Sequence, residues 1–282
     1  MDGIINVLKP PGMTSFDVIA CLRRIYGQKR IGHGGTLDPL AAGVLPVFLG
    51  RAARLIEYAP IHRKTYEAEF LMGFATDTED VSGAVICRGT PLADLSRWEA
   101  AAESFRGKIL QVPSLYSAKQ IGGRRAYDLA REGKKVDLPP RPVEIYDLTI
   151  REAAPPYLRL SVTCSSGTYV RALGRDLGEK AGCPLTMSFL VRTEMGPFSL
   201  RAAKTLEEIE ADPLHVCMDL ETALSGLPRV MLSPAQAADF LQGKRFSLRE
   251  GDRAEAAFFE ERRFLGIGSI AGGVVHPKKV FS

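Results

Sequence analysis

The run Gly32-His33-Gly34-Gly35-Thr36-Leu37-Asp38-Pro39 sets glycines at positions 32, 34 and 35 ahead of a carboxylate held against a proline. Glycine lets a backbone approach a ligand closely, and the residue before a proline is pushed toward extended geometry. The run therefore reads as a loop presenting a single acid. One carboxylate can serve as a nucleophile or as a base, and neither role needs a redox centre. An isolated Leu-Asp-Pro is more often an ordinary turn with aspartate as its polar residue. A nucleoside-triphosphate loop is disfavoured because no Lys-Ser/Thr pair follows the glycines at the required spacing. Asp38 has no second acid within its run, which disfavours the paired carboxylates and activated water of a glycosidase.

Composition narrows the field further. Cys21, Cys87, Cys164, Cys183 and Cys217 are scattered, odd in number and never spaced as Cys-x-x-Cys, and His33, His62, His215 and His276 are equally dispersed. A disulfide framework and a metal site are both disfavoured. The start, Met1-Asp2-Gly3-Ile4-Ile5-Asn6, does not have the pattern of a secretory leader, and the longest apolar stretch, Leu40 to Gly50, is interrupted by Gly43 and Pro46. A cytoplasmic protein without membrane association is expected. Net charge is +4, too mild to establish a nucleic-acid partner, so its distribution matters more. Residues 1–64 hold 9 Lys/Arg against 4 Asp/Glu, and residues 119–141 hold 7 against 3. On charge alone, both stretches read as solvated faces.

The elements that must position Asp38 can be sketched from pattern. Ile4–Leu8 reads as a buried strand ended by Lys9-Pro10-Pro11-Gly12. A helix follows, with Ser15 as N-cap, Phe16, Ile19, Leu22 and Tyr26 on its apolar face and Gly27 as stop. Beyond the glycine loop come a strand at Val44–Leu49 and a short helix at Ala52–Tyr58. Tyr66, Ala68 and Phe70 alternate with Glu67 and Glu69, the period of a half-buried strand over Thr65–Phe74. Further strands are predicted at Val143–Arg151, Tyr157–Cys164 and Met187–Phe198, and helices at Leu95–Ser104, Arg125–Arg131 and Val170–Ala181. Without strict βαβ alternation, the fold class is α+β. Past Gly226-Leu227-Pro228 the chain shifts to short strands and glycines, so the predicted organisation is a catalytic domain over 1–227 and a small β-rich domain over 228–282.

The full run from Gly32 to Pro46 resembles the signature loop of the TruB family of tRNA pseudouridine-55 synthases, and other segments agree in order and spacing. They are Val7-Leu8-Lys9-Pro10 with Gly12-Met13-Thr14-Ser15, Lys64-Thr65-Tyr66 with Gly73 and Thr76-Asp77-Thr78, Pro113 to Lys119, Gly123 to Tyr127, and Cys164 to Arg171 continuing through Asp176-Leu177-Gly178. The resemblance covers roughly residues 4–200. It implies a pseudouridine-synthase catalytic domain on a mixed, largely antiparallel sheet, with a cleft near the Asp38 loop. Leu241-Gln242-Gly243, Phe264 to Gly268 and Pro277 to Phe281 resemble, more briefly, a PUA-like β-barrel that binds RNA.

The implied reaction turns uridine into pseudouridine in the T-loop of tRNA, at position 55. The bond from N1 to the ribose breaks, the uracil turns over, and C5 rejoins the sugar, with no cofactor. The resemblance makes Asp38 the catalytic carboxylate and Arg171 the cation that pairs with it. Tyr66 would stack on the flipped base, Tyr169 and Leu190 would line the uracil pocket, and His33 would fill the space that the base vacates. Lys9 and Arg54 become candidates for RNA contact. The basic stretch corresponds to an insertion, about 115–142, that closes over the T-arm, so Lys119, Arg124, Arg125, Lys134 and Lys135 would meet phosphates. No protein partner is implied, and a monomer is expected. Two departures stand out: Gly34 where many members carry a hydroxyl residue, and Arg54 where lysine is frequent. A non-catalytic RNA-binding or RNA-folding protein is the other reading, and the joint presence of Asp38, Tyr66 and Arg171 argues against it.

Overall fold

The structure is a computed structural model, and it describes residues 1–115, 120–121, 124–125 and 138–281. The first strand, β1 (Gly3–Lys9), is an almost continuously buried run and leads into helix α1 (Ser15–Tyr26). The N-cap of α1 is Thr14, not Ser15: Thr14 and Asp17 form a reciprocal capping box, and Gly27 closes the helix at φ 60. The face of α1 turned to the sheet carries Ser15, Val18, Ile19 and Leu22, while Phe16 is 64% exposed. Ile19 and Leu22 lie on the predicted face, but Val18 and not Phe16 completes it.

Short β2 (Ile31–His33) and β3 (Ala42–Leu49) follow, then a 3₁₀ helix at Gly50–Tyr58 where a short helix was expected at Ala52–Tyr58. Next come β4 (Arg63–Met72), the hairpin of β5 (Phe74–Thr76) and β6 (Val85–Arg88), helix α2 (Leu95–Glu103) and β7 (Gly107–Gln111). Two-residue strands β8 (Gln120–Ile121) and β9 (Arg124–Arg125) pair with each other. Long β10 (Arg141–Ala154) and β11 (Tyr157–Ser165) form a hairpin, followed by helix α3 (Val170–Ala181), β12 (Leu185–Met195) and β13 (Phe198–Ser199). The helix predicted at Arg125–Arg131 lies mostly outside the described residues.

The sheet order is β1-β3-β12-β4-β11-β10-β7, with β2 on β3 and β13 on β12. Every pairing is antiparallel except β12 with β3, so the sheet is mixed and largely antiparallel, and the class is α+β as expected. In β4, Tyr66, Ala68 and Phe70 are buried while Glu67 points outward, as the alternation predicts. Trp98 of α2 and Leu173 and Leu177 of α3 cover that face in one apolar cluster.

Two short helices, α4 (Leu206–Ala211) and α5 (Leu220–Ala223), connect to a second sheet. Its elements are β14 (Arg229–Met231), helix α6 (Pro234–Leu241), β15 (Phe246–Ser247), β16 (Arg253–Glu260), β17 (Arg263–Ala271) and β18 (Val274–Val280). The order β14-β16-β17-β18-β15 leaves its end strands unpaired to each other, so this sheet is open where a closed barrel was expected. It wraps α6, whose Ala237 and Phe240 pack with Phe258, Leu265 and Val275. Leu55 and Leu224 share a further cluster with Phe259, Ile267 and Phe281, which joins the two sheets. Among the described residues, no helix is long and apolar enough to cross a membrane.

The parallel strand pairing of the first sheet, where β3 meets β12, depends on a glycine. Gly43 has φ +110, and a Cβ there would lie 2.2 Å from the Arg192 carbonyl oxygen. Both the backbone angle and the clash oppose any side chain. Gly43→Ala should therefore cost about 2–4 kcal/mol, read from thermal or urea unfolding. An unchanged midpoint would refute this account of the junction.

Candidate active site

The segment from Gly35 to Ala41 has no regular structure, yet most of its carbonyls are paired. Arg192, fully buried on β12, donates from Nε to the Val44 carbonyl at 2.7 Å, from Nη2 to Gly35 at 3.0 Å and from Nη1 to Thr36 at 3.4 Å. Lys9, fully buried at the end of β1, donates from Nζ to the carbonyls of Ala41 at 2.6 Å, Pro10 at 2.8 Å and Pro39 at 3.4 Å. Between these cations, Ser15 Oγ accepts from the Leu37 amide at 2.9 Å and donates to the Leu37 carbonyl at 3.2 Å, and the Gly12 amide donates to Pro39 at 2.8 Å. The Asp38 carbonyl takes the Ala41 amide at 3.0 Å, closing the turn. A loop held at this many points has little freedom to change where its acid points.

Asp38 projects from this loop with 36% of its side chain exposed, and Arg171 Nε meets its Oδ2 at 2.9 Å. Arg171 itself is only 6% exposed. It sits in the first turn of α3, and its Nη1 also donates to the Thr78 carbonyl at 3.0 Å and to Ser114 Oγ at 3.3 Å, with Asp80 Oδ2 at 3.7 Å. Asp80 is fixed in turn by Thr78 Oγ1 at 2.8 Å, the Ser82 amide at 3.0 Å and Ser82 Oγ at 2.5 Å. The guanidinium is thus built into the segment between β5 and β6 and offers its remaining edge to Asp38.

The other expected residues can be placed around this pair. Tyr66 shares a cluster with Leu37, Ala41, Val170 and Leu190 and is 6% exposed. Burial raises its hydroxyl pKa, and the neighbouring Arg192 opposes the rise. Leu190, 5% exposed, faces Ala68 across the ladder of β12 and β4. Tyr169 precedes α3, half-buried, with its backbone amide and carbonyl both bonded to the Gln111 side chain at 2.9 and 3.1 Å. His33 ends β2, and its buried Nδ1 has no partner. Burial, and then Arg192, lower the His33 pKa, so the neutral ring is favoured.

One expected RNA contact is corrected. Lys9 has no surface to offer a phosphate, because its ammonium is consumed by loop carbonyls. Burial pushes its pKa down to about 8, against the opposing pull of Asp38. Arg54 is exposed; its Nη1 donates to the Val280 carbonyl at 3.0 Å and its guanidinium lies over the Phe281 ring, 5.4 Å from the centroid. It ties the two sheets together. The glycines also act differently from expectation. Gly34 and Gly35 have their open sides filled by the protein, since a Cβ would meet Ile61 Cδ1 at 2.7 Å and Met195 Cε at 3.1 Å respectively. Arg124 and Arg125 form β9, and Lys119, Lys134 and Lys135 lie outside the described residues.

A cavity of about 700 Å³ lies near the site but does not include Asp38. Glu79 and Arg175, Thr76, Val112 and Leu185 are among its lining residues, and Glu79 and Arg175 form an ion pair. Arg175 is one turn beyond Arg171 on α3, so the cavity is next to the buried side of the site. Among the described residues, no group of three or more His, Cys, Asp or Glu side chains could hold a metal.

Sequence reasoning overlooked Asp80, Ser114, Ser15 and Arg192 as positioning groups. Ser15 and Ser114 stood inside the motifs quoted above. Arg192 had no signal, since a basic residue in a strand is ordinarily read as facing solvent.

A family model described as TruB family pseudouridylate synthase (N terminal domain) matches residues 23–170, and one described as Pseudouridine synthase II TruB, C-terminal, matches residues 228–281. The protein is therefore an enzyme of the pseudouridine synthase class. More narrowly, the chain belongs to the TruB family. It is 42% identical over 285 residues to tRNA pseudouridine synthase B of Caldanaerobacter subterraneus subsp. tengcongensis, covering 100% of this chain and 99% of that protein. It is also 42% identical over 295 residues to tRNA pseudouridine synthase B of Streptococcus pneumoniae serotype 4, with 100% of each covered. Among solved structures, a chain from a Cbf5-Nop10-Gar1 complex is similar with a TM-score of 0.76 at 25% identity, covering 99% of this chain and 85% of that one.

Lys64, on β4 beside Gly35, is the other strongly perturbed lysine: burial, and then Arg192, push its pKa down from 10.5 to about 8. The unfolded chain then keeps this proton over a range where the folded chain has lost it, so stability rises with pH between about 8 and 10.5. Relative to Lys64→Met, the wild type should gain unfolding free energy over that window, measured by urea titration at two pH values inside it. A difference independent of pH would show that the ammonium is not desolvated.

Proposed function

We propose that the protein isomerises uridine to pseudouridine in tRNA, acting on the T-loop uridine with Asp38 as the catalytic carboxylate. The observation that supports this reading most directly is the 2.9 Å pair between a partly exposed Asp38 and a buried, multiply bonded Arg171. A purely structural ion pair gains little from leaving one member facing solvent on a loop clamped this firmly. A group that must meet a nucleotide needs that arrangement, with direction fixed by a cation and reach left open.

In this reading the uridine leaves its stack, since its reacting atoms are out of reach inside a helix. Tyr66 and Leu190 form the apolar floor that receives the uracil, and His33 occupies the space it leaves. Asp38 engages the nucleoside as nucleophile or base, N1 and the ribose carbon separate, the ring turns, and C5 bonds to that carbon. The C5 proton is then lost and N1 takes up a proton, so the product is an isomer of uridine and no redox partner is needed. Arg171 keeps the carboxylate aimed throughout. RNA shape and a splayed loop would supply recognition, as is usual for RNA. The relatives' names as tRNA pseudouridine synthases and the basic stretch at 119–141 support tRNA as substrate. The second sheet is read as a PUA-like RNA-binding unit over 228–282.

Asp38→Asn should reduce tritium release from C5-labelled uridine in a T-arm stem-loop by on the order of 10⁴-fold or more while leaving binding near normal. Turnover close to wild type would remove Asp38 from this role. Replacing Arg124 and Arg125 together by Ala should weaken stem-loop binding and lower the slope of log K against log salt by about 0.7 for each phosphate that is no longer neutralised. An unaltered slope would show that neither arginine meets a phosphate.

A further inference from the structure

Lys64 precedes Tyr66 by two residues on β4, so both side chains leave the same face of the strand, roughly 7 Å apart along it. The ammonium reaches the Asp38 loop. A Cβ built on Gly35 would lie 3.3 Å from Lys64 Nζ and 3.7 Å from Arg192 Nη1. Lys64 is partly buried, and Lys9 and Arg192, the fully buried cations of the loop, each donate to loop carbonyls. Lys64 does not: its ammonium has neither hydrogen-bond nor ion-pair partner among the described residues. Its main charged neighbour is another cation, Arg192, and the low pKa noted above agrees with an ammonium that is desolvated and uncompensated.

Even partial desolvation of a charge without a protein acceptor is unfavourable, and structural cations avoid it by pairing. Here the pairing is missing on one side of a site that already gathers Lys9, Arg171 and Arg192 around the loop bearing Asp38. The local field favours an incoming anion, and three unspent donors on a compact charge suit phosphate oxygens. We propose that Lys64 is a phosphate subsite, its ammonium taking a phosphodiester that flanks the extruded uridine. RNA supplies the acceptor that the free protein withholds. This rests on reading the enzyme as acting on a uridine in RNA.

The test uses the full-length protein and a C5-tritiated T-arm stem-loop, with a neutral methylphosphonate at either linkage flanking the target uridine. Wild type should convert the all-phosphate RNA and bind about tenfold more weakly when the contacted linkage is neutral. Lys64→Met should bind the all-phosphate RNA about tenfold more weakly, show a salt slope lower by about 0.7, and be indifferent to the neutral linkage. Lys64→Arg should recover sensitivity to that linkage. The melting temperature of Lys64→Met should not fall below wild type, because the substitution removes an unpaired desolvated charge. If wild type converts the RNA but Lys64→Met keeps the full salt slope and linkage sensitivity, the subsite is wrong. The same holds if affinity falls equally for both RNAs with no change in slope, or if the variant melts lower, as removal of a structural cation would require. Failure of wild type to convert any stem-loop would instead sink the isomerase reading itself.

Discussion

The site depends on two buried cations that spend their donors on backbone. Lys9 and Arg192 come from β1 and β12, on either side of β3, and between them hold the carbonyls of Gly35, Thr36, Pro39, Ala41 and Val44. Neither forms an ion pair among the described residues. A loop carbonyl taken out of water costs free energy unless bonded, and a loop has no ladder to bond it. Charged donors meet that need from a distance, so an irregular segment can sit on top of a closely packed sheet. The same donors place positive charge behind the loop, where Asp38 is the nearby anion.

Direction is imposed separately. Arg171 belongs to the start of α3, which packs with β4 and β12 in an apolar cluster separate from that of α1, and it is fixed by Thr78, Asp80 and Ser114 rather than by the loop. Two independently braced bodies therefore meet at one ion pair. Displacement of either would lengthen the 2.9 Å contact, so the sheet that carries both sets the geometry of the acid. Precision of this kind is easier to hold on strands and helices than within a loop alone.

The residues that touch the sheet were readable from sequence where one periodicity governed them. Alternation through Tyr66, Ala68 and Phe70 located β4, and the caps of α1 were visible within one residue. The acid loop was legible because its run of residues has few other uses. What could not be read was the sense of burial for polar groups. Lys9 looked like a phosphate contact and Arg192 like a surface residue, because a hydropathy pattern treats a lysine or arginine as outward. Which way each turns is decided by loop carbonyls that become available only after the chain has folded. The contact of Arg54 with Phe281 was hidden for a related reason: the two are distant in sequence, so nothing local announced it. The β12 pairing with β3 was also hidden, since parallel neighbours leave no turn to mark them.

Some of the unfavourable features lie near the same place. Glu79 has φ 65, in the left-handed region, and its Oε2 is buried without a partner, while burial raises its pKa against the pull of Arg175. His33 Nδ1 is likewise buried and unpaired, and Lys64 has no acceptor among the described residues. Each such feature costs free energy, and a chain optimised for stability alone would remove them. Glu79 and Asp80 are consecutive, and their backbone is anchored to Met187 of β12 from both sides, so the strained turn is what presents Asp80 and Thr78 to Arg171. His33 and Lys64 flank the loop from β2 and β4. Two groups without a partner among the described residues thus sit beside the loop that bears the exposed carboxylate. That distribution is expected of a surface completed by a polar, anionic ligand, and it gives the free protein a reason to hold its site open at a cost in stability.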